Sequence, residues 1–218
     1  IPKRKESLES QIYMKQLILV HGYLGSSLNW GPIVSRLKTS PLAKNWQVTT
    51  VDMLGHAYRP LDLTITQLSL NEVTVDLEKQ IPKGEFFALG HSFGLRPLLR
   101  FNSLFPGRLK GLIVEDTSPE LSPHSFEFLK NVVEATPVPF RDREESRRYF
   151  DGHFKDQPAL SRFLQSNIRP DKNGLFDWRF NALALRNLLN EAASENMWSE
   201  WSAFEGPLEM IVGENSDY

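Results

Sequence analysis

Short apolar or β-branched runs alternate along the chain with longer segments whose apolar residues recur at helical spacing. Five of the runs read as strands: Gln16 to Val20, Gln47 to Val51, Glu85 to Leu89, Leu109 to Glu115, and Leu208 to Val212. Helical patterns lie between the first four, around Leu28 to Leu37, Leu70 to Gln80 and Phe93 to Phe105. That alternation predicts an α/β fold with a mostly parallel sheet covered by helices. The segment Leu8 to Lys15 is a candidate for an earlier edge strand. After Thr117-Ser118-Pro119 the character changes, and from Ser122 to about Ala203 helix-like segments are expected with no strand before Leu208. The predicted organisation is a core in two pieces, residues 1–121 and 205–218, with a helical cap inserted over residues 122–204.

A length of 218 residues suits one large domain with a sizeable core better than two independent ones. The formal charge of −2, with both signs mixed along the chain, disfavours nucleic acid or anionic lipid as a partner. The absence of cysteine excludes disulfides, thiolate chemistry and cysteine-ligated metals. No segment approaches the ~20 apolar residues of a membrane span, and the basic start Ile1-Pro2-Lys3-Arg4-Lys5 is followed by no apolar stretch. No stable membrane insertion is therefore expected. The simplest location is cytoplasmic, with a mitochondrial one open for a eukaryotic source, and the sequence sets no oligomeric state.

The chemistry concentrates around Gly90-His91-Ser92-Phe93-Gly94, directly after the apolar run Phe86-Phe87-Ala88-Leu89. A serine between two glycines where a strand turns into a helix reads as a nucleophile elbow, its hydroxyl lifted clear of the sheet. The amide of Phe93, at the start of the following helix, is one candidate donor to an oxyanion. The other is the amide of Tyr23, in His21-Gly22-Tyr23-Leu24-Gly25, which follows the first predicted strand. His21 and His91 read as packing and hydrogen-bonding residues, His91 as an auxiliary next to the nucleophile. Two aspartates compete to orient an imidazole: Asp116, after the strand ending at Glu115, and Asp217, after the strand ending at Val212. Asp52 reads as a turn residue.

A serine hydroxyl needs a base, and where the triad runs in the order Ser, Asp, His the histidine comes last. No histidine follows His153, and His124 and His153 fall in the expected cap. The general base is therefore expected to lie outside this chain, on a C-terminal strand and helix missing from the sequence. No cofactor is expected, and the histidines and acids show no H-E-x-x-H or comparable metal-ligand spacing.

Taken together, these marks resemble the α/β-hydrolase superfamily, and within it the group containing α/β-hydrolase domain protein 11, the YbfF-type esterases and the yeast ethanol acetyltransferases. The resemblance covers nearly the whole chain. It rests on His21-Gly22-Tyr23-Leu24-Gly25-Ser26, Asp52-Met53-Leu54-Gly55-His56, the Ser92 elbow and Val114-Glu115-Asp116-Thr117-Ser118-Pro119, and in the cap on Arg162-Phe163-Leu164-Gln165-Ser166-Asn167 and Trp178-Arg179-Phe180-Asn181. It implies that Asp116, rather than Asp217, is the acid and that Ser216 sits near the triad as a polar auxiliary. Two departures stand out: Leu95-Arg96 where the group commonly has a second glycine after the elbow, and His56-Ala57 where His-Gly is usual.

The implied activity is that of a serine esterase acting on a small-molecule carboxylic ester or thioester through an acyl-enzyme on Ser92. Acyl transfer to an alcohol is the nearest variant, and a noncatalytic ligand-binding protein on the same fold is the alternative of another class. The cap supplies aromatic surface for an acyl pocket, with Leu24, Trp178 and Phe180 as its expected wall. Arg141, Arg143, Arg147 and Arg148 alternate with Asp142, Glu144 and Glu145, which reads as a solvated face with a Glu144–Arg148 pair.

Overall fold

The structure, a computed structural model, describes residues 14–214 and 216. Strands β1 (Lys15–Val20), β2 (Trp46–Val51), β3 (Phe86–His91), β4 (Leu109–Glu115) and β7 (Leu208–Ile211) form one sheet in the order β2-β1-β3-β4-β7, every pair parallel. Each predicted strand is present with its ends within two residues of expectation. The candidate edge strand begins in residues that lie outside those described, and its last residue, Lys15, opens β1.

Helix α2 (Leu70–Gln80) has the predicted bounds because both ends of its first turn are satisfied. The Ser69 hydroxyl accepts from the Glu72 amide at 3.2 Å, and the Glu72 carboxylate accepts from the Ser69 amide at 2.8 Å. The helix predicted from Leu28 opens as a 3₁₀ turn, Ser27–Trp30, and continues as α1 (Gly31–Thr39). The one predicted from Phe93 likewise opens as a 3₁₀ turn, Ser92–Gly94, before α3 (Leu95–Leu104).

Alternation along the strands divides the sheet's two faces. Ile18, Val20, Ala88, Leu112 and Val114 enter the large core with α2 and α3, where Leu70, Val73, Leu77, Leu95, Leu98 and Leu99 are fully buried. Each such side chain contributes roughly 1.5–3 kcal/mol of burial. The opposite face carries Leu17, Leu19, Val48, Leu89 and Ile113, which pack with Trp30 and Val34. Beside these residues that face opens into an apolar trough also bordered by Phe87 and Trp46.

Between β4 and β7 the chain forms α4 (Pro123–Ala135), α5 (Arg143–His153), α6 (Pro158–Gln165), α7 (Ala182–Ser194) and α8 (Trp198–Ser202). The expectation of no strand in this segment is corrected: β5 (Ile168–Pro170) and β6 (Phe176–Trp178) pair as an antiparallel hairpin. Three-residue strands containing Pro170 and Asp177 carry too little alternation to read from the sequence. Their turn is set by Asp171, whose carboxylate accepts from the Asn173 and Leu175 amides, and by Gly174 at φ 83°. The expected Glu144–Arg148 pair is also replaced: Glu144 meets Arg147 at 2.9 Å, and Arg147 also lies 3.8 Å from Asp151 on the next turn.

Candidate active site

In an open parallel sheet ligands bind beyond the carboxyl ends of the strands, where the strand order reverses direction. Here β1 has β2 on one side and β3 on the other, so the loops after β1 and β3 diverge around that point. Those loops carry Tyr23 and Ser92.

Ser92 follows β3 directly and takes a left-handed backbone, φ 49°, which a residue with a Cβ adopts only at a cost. The flanking glycines are sterically required. A Cβ on Gly94 would stand 2.6 Å from the Val20 and His21 carbonyl oxygens, and one on Gly90 would stand 2.9 Å from the Leu95 amide nitrogen. The strand, the elbow and α3 thus meet backbone to backbone, with the Ser92 side chain half-buried at the junction.

The loop after β1 touches the same point. The Cβ position of Gly22 is 3.2 Å from Ser92 Cβ, and the Tyr23 and Phe93 rings pack at 5.6 Å. The two residues whose amides were singled out as oxyanion donors are therefore neighbours. Leu24, next in the loop, has φ 60°, and the Gly25 amide donates to the Gly22 carbonyl at 3.0 Å to close the turn. The Tyr23 hydroxyl is buried without a hydrogen-bond partner, and burial pushes its pKa far up, so the phenol is neutral.

Asp116 comes one residue after β4, half-buried, at φ 55°. Its amide donates to the Ile211 carbonyl at 2.8 Å, and its Oδ1 accepts from the Gly213 amide at 3.1 Å. Ser216 lies near the same glycine, its amide donating to the Gly213 carbonyl at 3.0 Å, and a Cβ on Gly213 would be 3.5 Å from Asp116 Oδ1 and 3.7 Å from Ser216 Cβ. Asp217 lies outside the described residues.

The histidines take other places. His21 donates from Nδ1 to the Gly22 carbonyl at 2.8 Å and accepts from the Met53 amide at Nε2, 3.1 Å, so both ring nitrogens are committed. Burial lowers its pKa to about 4, outweighing Asp52 at 3.9 Å, and the ring is neutral. His56 is also fully enclosed, with Nδ1 on the Leu54 carbonyl at 3.2 Å and a pKa lowered by burial to about 3. His91 is half-buried against the Trp30 ring at 6.4 Å. His124 and His153 are exposed on α4 and α5, and His153 stacks on Tyr149 at 4.2 Å. Among the described residues no histidine hydrogen-bonds Ser92. Asp52 does hold a turn, accepting from the Ser27 amide at 2.8 Å and hydroxyl at 2.7 Å.

Leu24, Trp178 and Phe180 are buried in the main core, the two aromatic rings stacked at 4.8 Å. A cleft beyond the strand ends is bordered by Gly22, Tyr23, Trp30, His91, Glu115 and Phe163. Two polar residues to which the sequence assigned no role organise the surroundings. The Asn181 side chain accepts from the Ala184 amide as cap of α7 and donates to the Asp62 and Ile65 carbonyls, fixing the loop after β2. Arg96, noted in the sequence only as a departure, is 2% exposed in the first turn of α3; a charged residue among Leu95, Pro97, Leu98 and Leu99 was the available signal. Among the described residues no cluster of three or more acids and histidines is placed to hold a metal ion, and no helix is long and apolar enough to cross a membrane.

The family model described as alpha/beta hydrolase fold matches residues 15–202. The chain is 25% identical over 211 residues to the sn-1-specific diacylglycerol lipase ABHD11 of Danio rerio, covering 93% of this chain and 64% of that protein. The chain thus spans less than two thirds of that relative. It is 24% identical over 220 residues to Esterase YbfF of Escherichia coli (strain K12), covering 99% of this chain and 80% of that one. Among solved structures, a marine microorganism esterase superposes with a TM-score of 0.69 at 21% identity, over 92% of this chain and 87% of that one. E-2-(acetamidomethylene)succinate hydrolase also gives 0.69, at 18% identity, over 91% and 72%. At these identities the structural likeness speaks for the fold alone.

Proposed function

The chain belongs to the alpha/beta hydrolase fold family, and from that premise we propose that it is a serine esterase that cleaves carboxylic esters or thioesters of small molecules. Ser92 Oγ attacks the acyl carbonyl, forming the C–O bond as its proton passes to a base. The tetrahedral oxyanion is held by the amides of Tyr23 and Phe93. The intermediate collapses with loss of the alcohol or thiol, which takes the proton, and water then resolves the acyl-enzyme by the same steps in reverse. Asp116 orients and stabilises the imidazolium, with Ser216 as a polar neighbour. The base in this reading is a histidine other than the five in this sequence, because His21 is hydrogen-bonded at both ring nitrogens, His56 is fully enclosed, His91 packs against Trp30 with no hydrogen bond to Ser92, and His124 and His153 are exposed on α4 and α5.

One observation carries this reading. Among the described residues the non-glycine residues with positive φ are Leu24, Ser92 and Asp116. They fall at the ends of three strands that are neighbours in the sheet, β1, β3 and β4, and left-handed backbone at such residues costs about 1–3 kcal/mol apiece. A fold that was only a scaffold would gain stability by relaxing them. The relatives' names, a diacylglycerol lipase and an esterase, point the same way.

Residues 122–204 serve in this reading as a cap over the strand ends, with Leu24, Trp178 and Phe180 as the apolar wall for the acyl chain. What supports the cap is Phe163 of α6, which borders the cleft beyond the strand ends, while α7 and α8 pack on α2 and α3 at one face of the sheet. The test is hydrolysis of a series of p-nitrophenyl and thioester acyl substrates by the full-length protein and by Ser92→Ala. Turnover confined to the parent protein supports the proposal, and equal turnover by both overturns it.

A further inference from the structure

The cleft beyond the strand ends has a volume of about 280 Å³, the small end of the range for ligand sites. Three aromatic side chains border it, Tyr23 and Trp30 from the segment after β1 and Phe163 from α6. Among the described residues no lysine or arginine lines it, and its one carboxylate is that of Glu115.

Glu115 ends β4 in register with His91, the residue before the nucleophile, so the two backbones lie one strand spacing apart, about 4.8 Å. Side chains alternate along a strand, which sets Glu115 on the face of Ile113 and His91 on that of Leu89, the face where Trp30 packs. Gly22 borders the same cleft, and its Cβ position is 2.9 Å from His91 Nδ1 and 3.2 Å from Ser92 Cβ. The cleft therefore runs alongside the nucleophile. The Glu115 side chain is half-buried and, among the described residues, has neither an ion pair nor a hydrogen bond. Asp116 and Asp52, at the ends of β4 and β2, are occupied in contrast, the first by the Gly213 amide and the second by Ser27.

A carboxylate in a walled cleft attracts a cation more strongly than one on open surface, because solvent screens it less. Aromatic rings add to the same preference, since their faces are negative. An anionic group would meet repulsion here with no cation in the lining to offset it. We propose that Glu115 selects the substrate, and that the ester or thioester cleaved carries a quaternary or protonated ammonium group, seated between Glu115 and the aromatic wall while the acyl carbonyl meets Ser92; this rests on the serine-esterase reading. Glu115 binds the substrate away from the bond that breaks, so its mark is a preference between esters of matched shape.

The experiment gives the full-length protein acetylcholine and its neutral isostere 3,3-dimethylbutyl acetate, each kcat/KM being divided by that ester's rate of hydrolysis by hydroxide. The expected result is a preference of about 10-fold for the cationic ester, falling to about 2-fold or less in Glu115→Gln and standing at about 3-fold or more in Glu115→Asp, which keeps the charge. Equal normalised rates in the parent, or a preference that Glu115→Gln leaves intact, overturn the proposal while the esterase reading stands. Should neither variant fold, the parent decides: a preference that shrinks as salt is raised supports the proposal, and one indifferent to salt overturns it. If the parent hydrolyses neither ester, the esterase reading fails, and binding of tetramethylammonium, read by tryptophan fluorescence, tests the site alone. Binding that salt and Glu115→Gln both weaken keeps the ammonium site, and no binding removes it.

Discussion

Ser92 and Asp116 occupy equivalent places on neighbouring strands: each comes one residue after the register pair His91–Glu115 that ends β3 and β4, and each turns there into a left-handed backbone, φ 49° and 55°. The sheet thus fixes both residues at one level, and the same backbone inversion swings both away from their strands. Most of what can be predicted for this protein follows from that shared geometry.

Because the strain at Ser92 serves only the position of its hydroxyl, Ser92→Gly should abolish turnover while raising stability by up to about 1 kcal/mol, since glycine adopts the conformation freely. Ser92→Ala should lose turnover with stability within about 1 kcal/mol of the parent. Urea unfolding of the three proteins checks this, and a Ser92→Gly variant clearly less stable than the parent would count against strain at the elbow.

Asp116→Asn keeps an oxygen able to accept from Gly213, so β7 should stay in place while the rate falls by about 10³–10⁴-fold, the scale expected when an acid that orients an imidazole is neutralised. Asp52→Asn makes the contrast. The Asp52 carboxylate accepts from the Ser27 amide and hydroxyl, and the Gln80 side-chain amide donates to the Asp52 main-chain carbonyl, so that variant should lose about 1 kcal/mol of stability with activity within a few-fold. Steady-state kinetics beside thermal melts separate the two, and reversed effects would exchange the roles of the aspartates.

Gly94→Ala places a methyl 2.6 Å from two carbonyl oxygens of the β1 end. Backbone must move to admit it, at a cost of about 1–3 kcal/mol or more, and the movement falls on the elbow itself. Both stability and turnover should drop together. A neutral Gly94→Ala would mean the close approach of β1 and the elbow is not as described.

Stability should fall in mild acid for a reason unconnected with catalysis. His21 and His56 are enclosed and neutral, with pKa values lowered by burial to about 4 and about 3. In the unfolded chain each titrates near the ordinary value of about 6.5, so between pH 6.5 and those folded values the unfolded state binds more protons. Stability therefore rises with pH through that window and is lost as pH falls through it, on the order of 3 kcal/mol for each histidine by pH 4. Above pH 6.5 neither contributes a slope. Melting temperatures from pH 7 to pH 4 check this, and a flat profile there would contradict the burial of both rings.

The sheet, its order of elements and the elbow were legible in the chain because each rests on local signals: apolar runs for β1 to β4, the Ser69/Glu72 capping pair for α2, and glycines at fixed distance around Ser92. The hairpin β5–β6 was not, since three residues a side carry no period and Asp171-Lys172-Asn173-Gly174 alone does not say what it joins. Arg96 and Asn181 escaped for a different reason. The groups that Arg96 and the Asn181 amide nitrogen donate to are main-chain carbonyls 23 to 119 residues away in sequence, and a carbonyl leaves no trace in the residue type. Composition likewise showed that aromatics fill the segment after β4, but only packing places Trp178 on Phe180 within the core.

Reaction of the full-length protein with a fluorophosphonate, read by intact mass and peptide mapping, tests the central claim most directly, because only an activated serine reacts at an appreciable rate. One adduct per chain on Ser92, absent from Ser92→Ala and unaffected by His124→Gln or His153→Gln, is the predicted result. A folded protein that takes no adduct, or takes it on another residue, would contradict a nucleophilic role for Ser92.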